Sequence, residues 1–477
     1  MHTVDYFIKF EFENKLFERK VKEVEYWHLI RFDIYNSIIS AKNNDIDLFP
    51  KSSKVSKLNK IIDRIKLIPN FIRFNPLINL KEKDIIVLNH SRKVWNGDYY
   101  ECIYTDKILD KLRNSYYIFE SSYQNKHYKS KNKDNIRYFD YIDLMSELKI
   151  VIAERIKLFK LSANELSELN SLIDNINKSF NVQLDKRYYI NKIIRRILQY
   201  KFRYKYYKKV LTKVNPKILI EVVHYSTTNL IINRIAKEYG IKIIELQHGT
   251  MGKYHIAYNF FNKMRILSFP DYIFLFGEYW REYTRLPLKD DRLIVTGFPY
   301  FEFKKNKFNK KNTANGIINI LFISQGPVGR KLVDIAVKLH QILSKDKYNI
   351  IYKLHPREYD TWKERYPSLL NTSICVVDDN KRDIYSFFES CQYQVGVYST
   401  AIFEGIGFNL KTFIVKDYGF EYMEQLINSG NALLVESEED IVSALNSEEN
   451  GALNSQKLWA KNSTNNIIAR IEELIND

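Results

Sequence analysis

The feature that most constrains this chain is an alternation, met twice, of short apolar runs that end in polar turns with segments of helical periodicity. From Lys217, KILIEVVHYS reads as a buried strand with a polar exit. TTNLIINRIAKEYG then reads as an amphipathic helix closed by Gly240, and IKIIELQHG as the next strand. DYIFLFG with EYWREYTRL, and then DRLIVTGFP, repeat the pattern. Upstream, DIIVLNH (84–90), flowing into the polar turn HSRKVWNGD, and YYIFES (116–121) are two further strand candidates. After the polar, Lys/Asn-rich stretch 301–316 the alternation begins afresh. Its strands are IINILFIS (317–324), YNIIYKL (348–354), SICVVDD (373–379), YQVGVYS (393–399), KTFIVK (411–416) and ALLVES (432–437). Strands separated by helices of about 10–15 residues imply βαβ units and mostly parallel sheets.

The fold class this predicts is α/β, with two Rossmann-like doubly wound domains and a helical N-terminal elaboration. Residues 1–300 form the first domain, with helical insertions in the first 80 residues and over 143–213. Residues 301–316 are a linker, and 317–453 are the second domain. Residues 454–477 are a last helix able to pack back on the first domain. A chain of 477 residues exceeds what one core supports, in keeping with this division.

No apolar run approaches the ~18 residues of a transmembrane helix. The opening MHTVDYFIKFEFENK carries early acids and no uninterrupted apolar stretch, so no secretory signal is expected. Three cysteines, Cys102, Cys375 and Cys391, are odd in number and lack metal-ligand spacing. A cytoplasmic protein without a disulfide framework follows as the expectation.

The net charge is +17. Part of it is what a Lys-, Ile-, Asn- and Tyr-rich composition brings without function. The distribution says more. Between Lys186 and Lys213 there are eleven Lys or Arg and no acid, interleaved with Tyr188, Tyr189, Tyr200, Tyr204, Tyr206 and Tyr207. Such a helix is a solvated basic face, or it suits anionic headgroups or stacked bases.

In open parallel sheets ligands sit beyond the carboxyl ends of the strands. Four of the nine histidines, His90, His224, His248 and His355, fall at those exits. In the second unit SQGPVGR (324–330) opens a helix and offers Gln325, Gly326 and Arg330. YSTAIFEGIGF (398–408) places Ser399 and Thr400 where they cap a helix, a good setting for phosphate. Glu404, at i+4 from Thr400, lies on the same helix side and suits ribose hydroxyls. His355, fixed by Pro356, suits a phosphate oxygen. In the first unit His248 sits beside Gly249, which allows close approach. As a neutral imidazole it suits a base that accepts a proton from an attacking hydroxyl. Each feature also has a plain structural reading as a cap or turn; their convergence on the exits favours a site. Asp290–Asp291 and Asp378–Asp379 read as turn residues, and no metal ligand set emerges. GxGxxG, P-loop and GxSxG patterns are absent.

QHG in the first unit, with LHP and YST-x3-E in the second, resembles the GT-B glycosyltransferases that build bacterial surface polymers. The similar families are capsule polysaccharide synthesis proteins, polysialyltransferase-like enzymes and CDP-glycerol glycerophosphotransferases. The resemblance spans about residues 84–100 and 217–440. It implies a transferase with a nucleotide-sugar donor, cytidine nucleotides favoured, and a glycan or lipid-linked glycan acceptor of capsule or lipopolysaccharide type. It implies no cofactor and no catalytic metal, and an inverting outcome. It assigns donor phosphate to His355, Ser399, Thr400, Arg330, Gln325 and Gly326, and the ribose to Glu404. His248 becomes the base, and His90, Arg92, His224 and His255 fall on the acceptor side. It also implies a protein peripheral on the inner face of the plasma membrane, held by the basic segment 186–213, with no nucleic acid partner. A CDP-glycerol-type glycerophosphotransferase, a sugar-nucleotide 2-epimerase and a polyanion-binding protein remain the alternatives. Met251 and Gly252 stand between HGT and Lys253, a departure from the glycerophosphotransferase pattern HGTP followed by Lys.

Overall fold

The structure is a computed structural model, and it describes residues 3–42, 67–308, 316–447 and 455–477. Two parallel sheets organise it. The seven-stranded sheet runs in the order Leu293–Val295, Tyr272–Leu275, Lys242–Leu246, Ile218–Glu221, Ile85–Leu88, Tyr116–Glu120, Ile136–Tyr138. The six-stranded sheet runs Cys375–Val377, Tyr348–Lys353, Ile318–Ile323, Tyr393–Gly396, Lys411–Val415, Leu433–Val435. All pairings in both sheets are parallel. In each, the chain enters at a central strand, winds outward on one side, and returns to wind outward on the other. This is the expected doubly wound α/β architecture in two copies. The switch points fall between Ile85–Leu88 and Ile218–Glu221, and between Ile318–Ile323 and Tyr393–Gly396.

The first sheet is apolar on both faces because both are covered. One face packs Ile86, Leu88, Leu219 and Ile243 against Tyr207, Val210, Leu211 and Val214 of the Lys186–Val214 helix. The other packs Ile85, Val87, Ile220 and Ile244 against Ile467, Ile471 and Leu474 of the Ser463–Asn476 helix. The long helix starts where Asp185 accepts a hydrogen bond from the Tyr188 amide and stops at Asn215 in the left-handed region. The N-terminal helices Thr3–Glu13 and Trp27–Lys42 form a separate core with Leu172, Ile176, Ile193 and Ile197.

Several local expectations change. HSRKVWNGD is not a plain turn: Lys93–Trp95 pairs antiparallel with Tyr100–Cys102. Ile136–Tyr138 is an edge strand that three residues were too short to announce in the sequence. Of the polar stretch 301–316, residues up to 307 belong to the Pro299–Lys307 helix, which buries Tyr300 and Phe301; 309–315 lie outside the described residues.

The two sheets share an aromatic core. The Trp459 ring stacks on Phe301 at 4.2 Å and Phe276 at 5.2 Å, and its indole N–H donates to the Phe403 carbonyl at 3.1 Å. Trp280 packs on Phe403 at 4.7 Å and donates to the Leu458 carbonyl at 3.1 Å. Glu302 accepts from the Asn462 and Ser463 amides at 2.7 and 2.8 Å, fixing the start of the last helix. Close approach here leaves no room for side chains: a Cβ on Gly277 would lie 2.3 Å from the Lys457 carbonyl. Trp459→Ala should lower the unfolding free energy by about 3–5 kcal/mol, read from urea unfolding.

Candidate functional site

Strand exits of the two sheets meet at the HGT turn and the helix end of the second unit. Thr250 Oγ1 lies 3.3 Å from Thr400 Oγ1. A Cβ on Gly249 would touch Thr400 Oγ1 at 3.5 Å, an ordinary contact, so glycine is not demanded there by the protein's own packing. Gln247 pins the turn, its amide donating to the Gly249 carbonyl at 2.9 Å and its oxygen accepting from the Phe276 amide at 2.8 Å.

His248 is held from three sides. Its backbone carbonyl accepts from the Tyr104 hydroxyl at 2.6 Å. Its Nδ1 is 3.2 Å from the Tyr258 hydroxyl and its Nε2 3.2 Å from that of Tyr225. The Tyr258 hydroxyl donates to Glu245 Oε1 at 2.8 Å. With its single hydrogen used there, Tyr258 accepts from Nδ1–H, which assigns the Nδ1–H tautomer and leaves the Nε2 lone pair available. Burial, with His90, His255, His224 and Arg92 nearby, holds this imidazole well below the usual histidine range. It is therefore neutral at physiological pH, as a base must be, and the residue keeps partial exposure.

Behind His248 lies a buried acid pair. Burial, and then the neighbouring Glu245 carboxyl, raise Glu221 well above its ordinary value; burial raises Glu245 to about 8. Glu245 Oε2 lies 2.7 Å from His224 Nδ1, and Asn233 donates to Glu221 at 2.8 Å. His224 corrects the sequence reading. It is 0% exposed and its pKa is lowered to about 3, by burial first and then by Arg31. It cannot touch an acceptor; HYS reads as a polar exit, yet its imidazole turns inward to the acid pair. Arg31 is committed as well, to Glu11 at 2.6 Å and to the carbonyls of Ile256 and Asn259.

The other first-unit candidates stay near His248. His90 is 6.1 Å from it ring to ring, its Nδ1 accepts from the Arg92 amide at 3.0 Å, and burial and then Arg92 lower it to about 4. Arg92 donates to the Tyr104 hydroxyl at 3.3 Å. His255 stacks on Phe32 and lies beside Tyr225; burial, then His224, lower it to about 4.

In the second unit His355 caps the Pro356–Glu358 turn: its Nδ1 accepts from the Arg357 amide at 3.2 Å, and its own amide donates to Glu358 at 2.8 Å. This assigns the proton to Nε2, which is left as a donor; burial lowers the ring's pKa. Ser399 accepts from the Ala401 amide at 3.3 Å as the N-cap of Thr400–Gly407. Gln325 spans the switch point, accepting from the Tyr398 amide at 3.2 Å. The Gly326 carbonyl accepts from Arg365 at 3.0 Å, and Arg330 is exposed in the first turn of the Gly329–Ile342 helix. Glu404 is only 3% exposed: burial raises its carboxyl, opposed by Arg92 from the first unit and a bond with Tyr385. In this arrangement it is an interior partner of those groups and not the exposed ribose ligand that the sequence suggested.

Sequence reading missed Tyr104, Tyr225 and Tyr258, Glu221 and Glu245 inside apolar strands, and Lys353. The Lys353 ammonium binds the Asp379 carbonyl at 2.9 Å and the Tyr359 hydroxyl, and burial lowers it to about 8. It locks the His355 turn to the next exit. Asp378 accepts from the Trp362 indole at 3.0 Å and Asp379 from the Lys381 amide at 3.0 Å, turn roles as expected.

No family model matches the chain, and no curated protein does. Solved structures similar to it include a UDP-GlcNAc 2-epimerase from Methanocaldococcus jannaschii, 13% identical over 82% of this chain and 99% of that one, with a TM-score of 0.49. A putative UDP-N-acetylglucosamine 2-epimerase from Listeria monocytogenes is 12% identical over 83% and 97%, with a TM-score of 0.49. The wall teichoic acid polymerase TagF is 13% identical over 88% and 99%, with a TM-score of 0.42.

Between pH 6.5 and 8 the folded chain keeps protons on Glu221 and Glu245 that an unfolded chain, with carboxyls near 4.5, has released. The unfolded histidines are half protonated at 6.5 and lose the rest of that charge by about 7.5, which offsets part of the effect at the lower end. Stability contributed by these acids therefore falls as pH rises through that window. The protonated Glu245 donates to His224 and accepts from Tyr258, and glutamine reproduces both bonds. Glu245→Gln should fold and show a smaller drop in melting temperature from pH 6.5 to 8 than the parent protein.

Proposed function

We propose that this protein is a glycosyltransferase that moves a sugar from a nucleotide-activated donor, cytidine nucleotides favoured, to a growing bacterial surface glycan. The observation that carries the reading is the meeting of the HGT turn with the Ser399–Thr400 helix end, two of the three motifs on which the resemblance to surface-polymer transferases rests. In this reading 1–300 serve the acceptor and 317–453 the donor, joined through 301–316 and braced by 454–477.

The donor phosphates lie against His355 Nε2–H, the amides at the Thr400 helix end, and the Gln325–Gly326 turn with Arg330. Donors aimed where charge develops on the leaving phosphate are the largest expected contribution to rate. An acceptor hydroxyl takes the place of the Tyr225 hydroxyl on His248 Nε2 and gives up its proton there as it attacks the anomeric carbon. The displaced nucleotide leaves with the bonding electrons, and the donor centre inverts. Tyr258 and Glu245 hold the ring in the tautomer this needs. Among the described residues no helix is long and apolar enough to cross a membrane. The protein works at the cytoplasmic face of the plasma membrane as a peripheral enzyme, drawn there by its basic surface, and meets no nucleic acid.

Thermal-shift measurement with CMP, CDP, UDP and GDP tests donor binding, since a ligand of the native state raises its melting temperature. A rise with one nucleotide that disappears in His355→Ala is expected; no response to any of the four overturns the reading. With donor and acceptor in hand, His248→Ala should lower kcat by about 100-fold or more at similar KM for donor. Turnover of the donor with no acceptor present would make the enzyme an epimerase instead.

A further inference from the structure

The Asp140–Arg155 helix buries Ile142, Ser146, Ile150 and Ala153 and packs against the Lys186–Val214 helix. Its outer face is apolar. Leu148 is 48% exposed and Ile152 57%, with Val151 beside them; in the turn that follows, Ile156 is 63% and Leu158 69% exposed. Positions 148, 151, 152 and 156 recur at the spacing that puts side chains on one helix face. A scattered exposed leucine needs no explanation, but a continuous exposed stripe does.

The turn itself holds Leu158 outward. Lys157 sits in the left-handed region at φ 49°, and the Leu158 amide donates to the Ala153 carbonyl at 2.9 Å, the six-to-one bond that commonly ends a helix. That motif usually tucks the apolar residue after the left-handed position against the last turn. Here the residue faces solvent.

Cations surround the stripe. Lys149, Arg155, Lys157 and Lys160 are exposed on the same segment, and Lys201 and Lys205 on the neighbouring helix, with Lys201 over the Phe159 ring at 5.8 Å. The local acids are already used: Glu147 and Glu154 pair with Arg195, and Asp143 with Arg203. The same pairing reassigns the basic helix. Its Lys186, Lys192, Arg195, Arg196 and Arg203 are tied to Asp174, Asp33, Glu147, Glu154 and Asp143. Those cations are answered by carboxylates on the helices packed beside them.

We infer that the apolar stripe Leu148–Leu158, with its ring of lysines and Arg155, is the surface on which the protein lies on an anionic lipid bilayer. This rests on the peripheral-membrane part of the proposed function and moves its contact from the whole basic helix to the Asp140–Arg155 helix and its turn. Apolar side chains flanked by long cations fit the plane of a headgroup region, the chains reaching the acyl boundary while the ammonium groups stay among phosphates. Charge complementarity selects the lipid surface: the ring is cationic, and an anionic leaflet attracts it.

Sedimentation of the full chain with vesicles of phosphatidylcholine, with or without phosphatidylglycerol, tests this. Binding to the anionic vesicles only is expected. The combined change Ile152→Ser, Ile156→Ser, Leu158→Ser should weaken it by about tenfold or more, since apolar insertion is lost. Lys201→Glu with Lys205→Glu should weaken it by about tenfold at low salt, since each cation near the surface counts. If the triple variant does not fold, Leu158→Ser alone serves, and Ile156→Trp fluorescence should be quenched by brominated acyl chains. Absence of binding, equal binding to neutral vesicles, or full binding by the serine variants overturns the inference. So does a serine variant that dissociates an oligomer without vesicle binding, which would assign the stripe to a second copy. The nucleotide-induced thermal shift should be the same in all these variants. Absence of vesicle binding by the parent protein with its nucleotide shift intact sinks this inference alone, whereas vesicle binding without any nucleotide shift sinks the transferase reading.

Discussion

Trp459 is wedged between Phe276 and Phe301 and bonded to the Phe403 carbonyl, so one side chain from the last stretch of sequence touches both units. The 3.3 Å approach of Thr250 to Thr400 depends on that wedge. A parallel sheet offers its exits along one edge, and two such edges meet only if something fixes their relative angle. The aromatic core around Trp459, Trp280 and Phe403 does so by burying large apolar faces, and the indole bonds set orientation where stacking alone would allow sliding. The glycines beside it follow from the same packing: at 277 any side chain would collide with the backbone that bridges the units.

With the units fixed, the setting of His248 rests on a polar interior that is costly to build. Burying Glu221 and Glu245 together drives both towards the neutral form, and burying His28, His224, His248 and His255 does the same to the imidazoles. The cluster is nearly uncharged at neutral pH as a result, and its hydrogen bonds run in a defined direction from Tyr258 to Glu245 and from His248 to Tyr258. A neutral network of this kind orients an imidazole without placing an opposite charge beside it, so the ring stays a proton acceptor.

How much of this was legible in the sequence differs by element. The sheets were, because a strand buried on both faces must be a continuous apolar run, and the polar exit that ends it is equally visible. His248, His355, Ser399 and Thr400 lie at those exits, and Ser399 caps the helix that the Ser-Thr pair announced. His224 was misplaced for the same reason: a histidine after an apolar run looks like an exit whether it turns out or in. The difference is made by Glu245, which sits on the neighbouring strand and reads locally as an ordinary polar position. Tyr225 and Tyr258 reach His248 from 23 residues before and 10 after, and no local pattern encodes that convergence.

The basic helix makes the same point about charge. Read as a line of residues, 186–213 is an unbroken cationic run, and its total decides nothing about what it binds. The fold sorts it. At Lys192, Arg195, Arg196 and Arg203, where the run meets the Trp27–Lys42 and Asp140–Arg155 helices, a carboxylate stands opposite, as Asp33 does for both Lys192 and Arg196. Those pairs are partly exposed and add little stability each, so their effect is chiefly to remove positive charge from that face. Near the Phe159 turn exposed lysines meet exposed isoleucine and leucine, so charge and apolar surface that are separated elsewhere on the helix lie side by side.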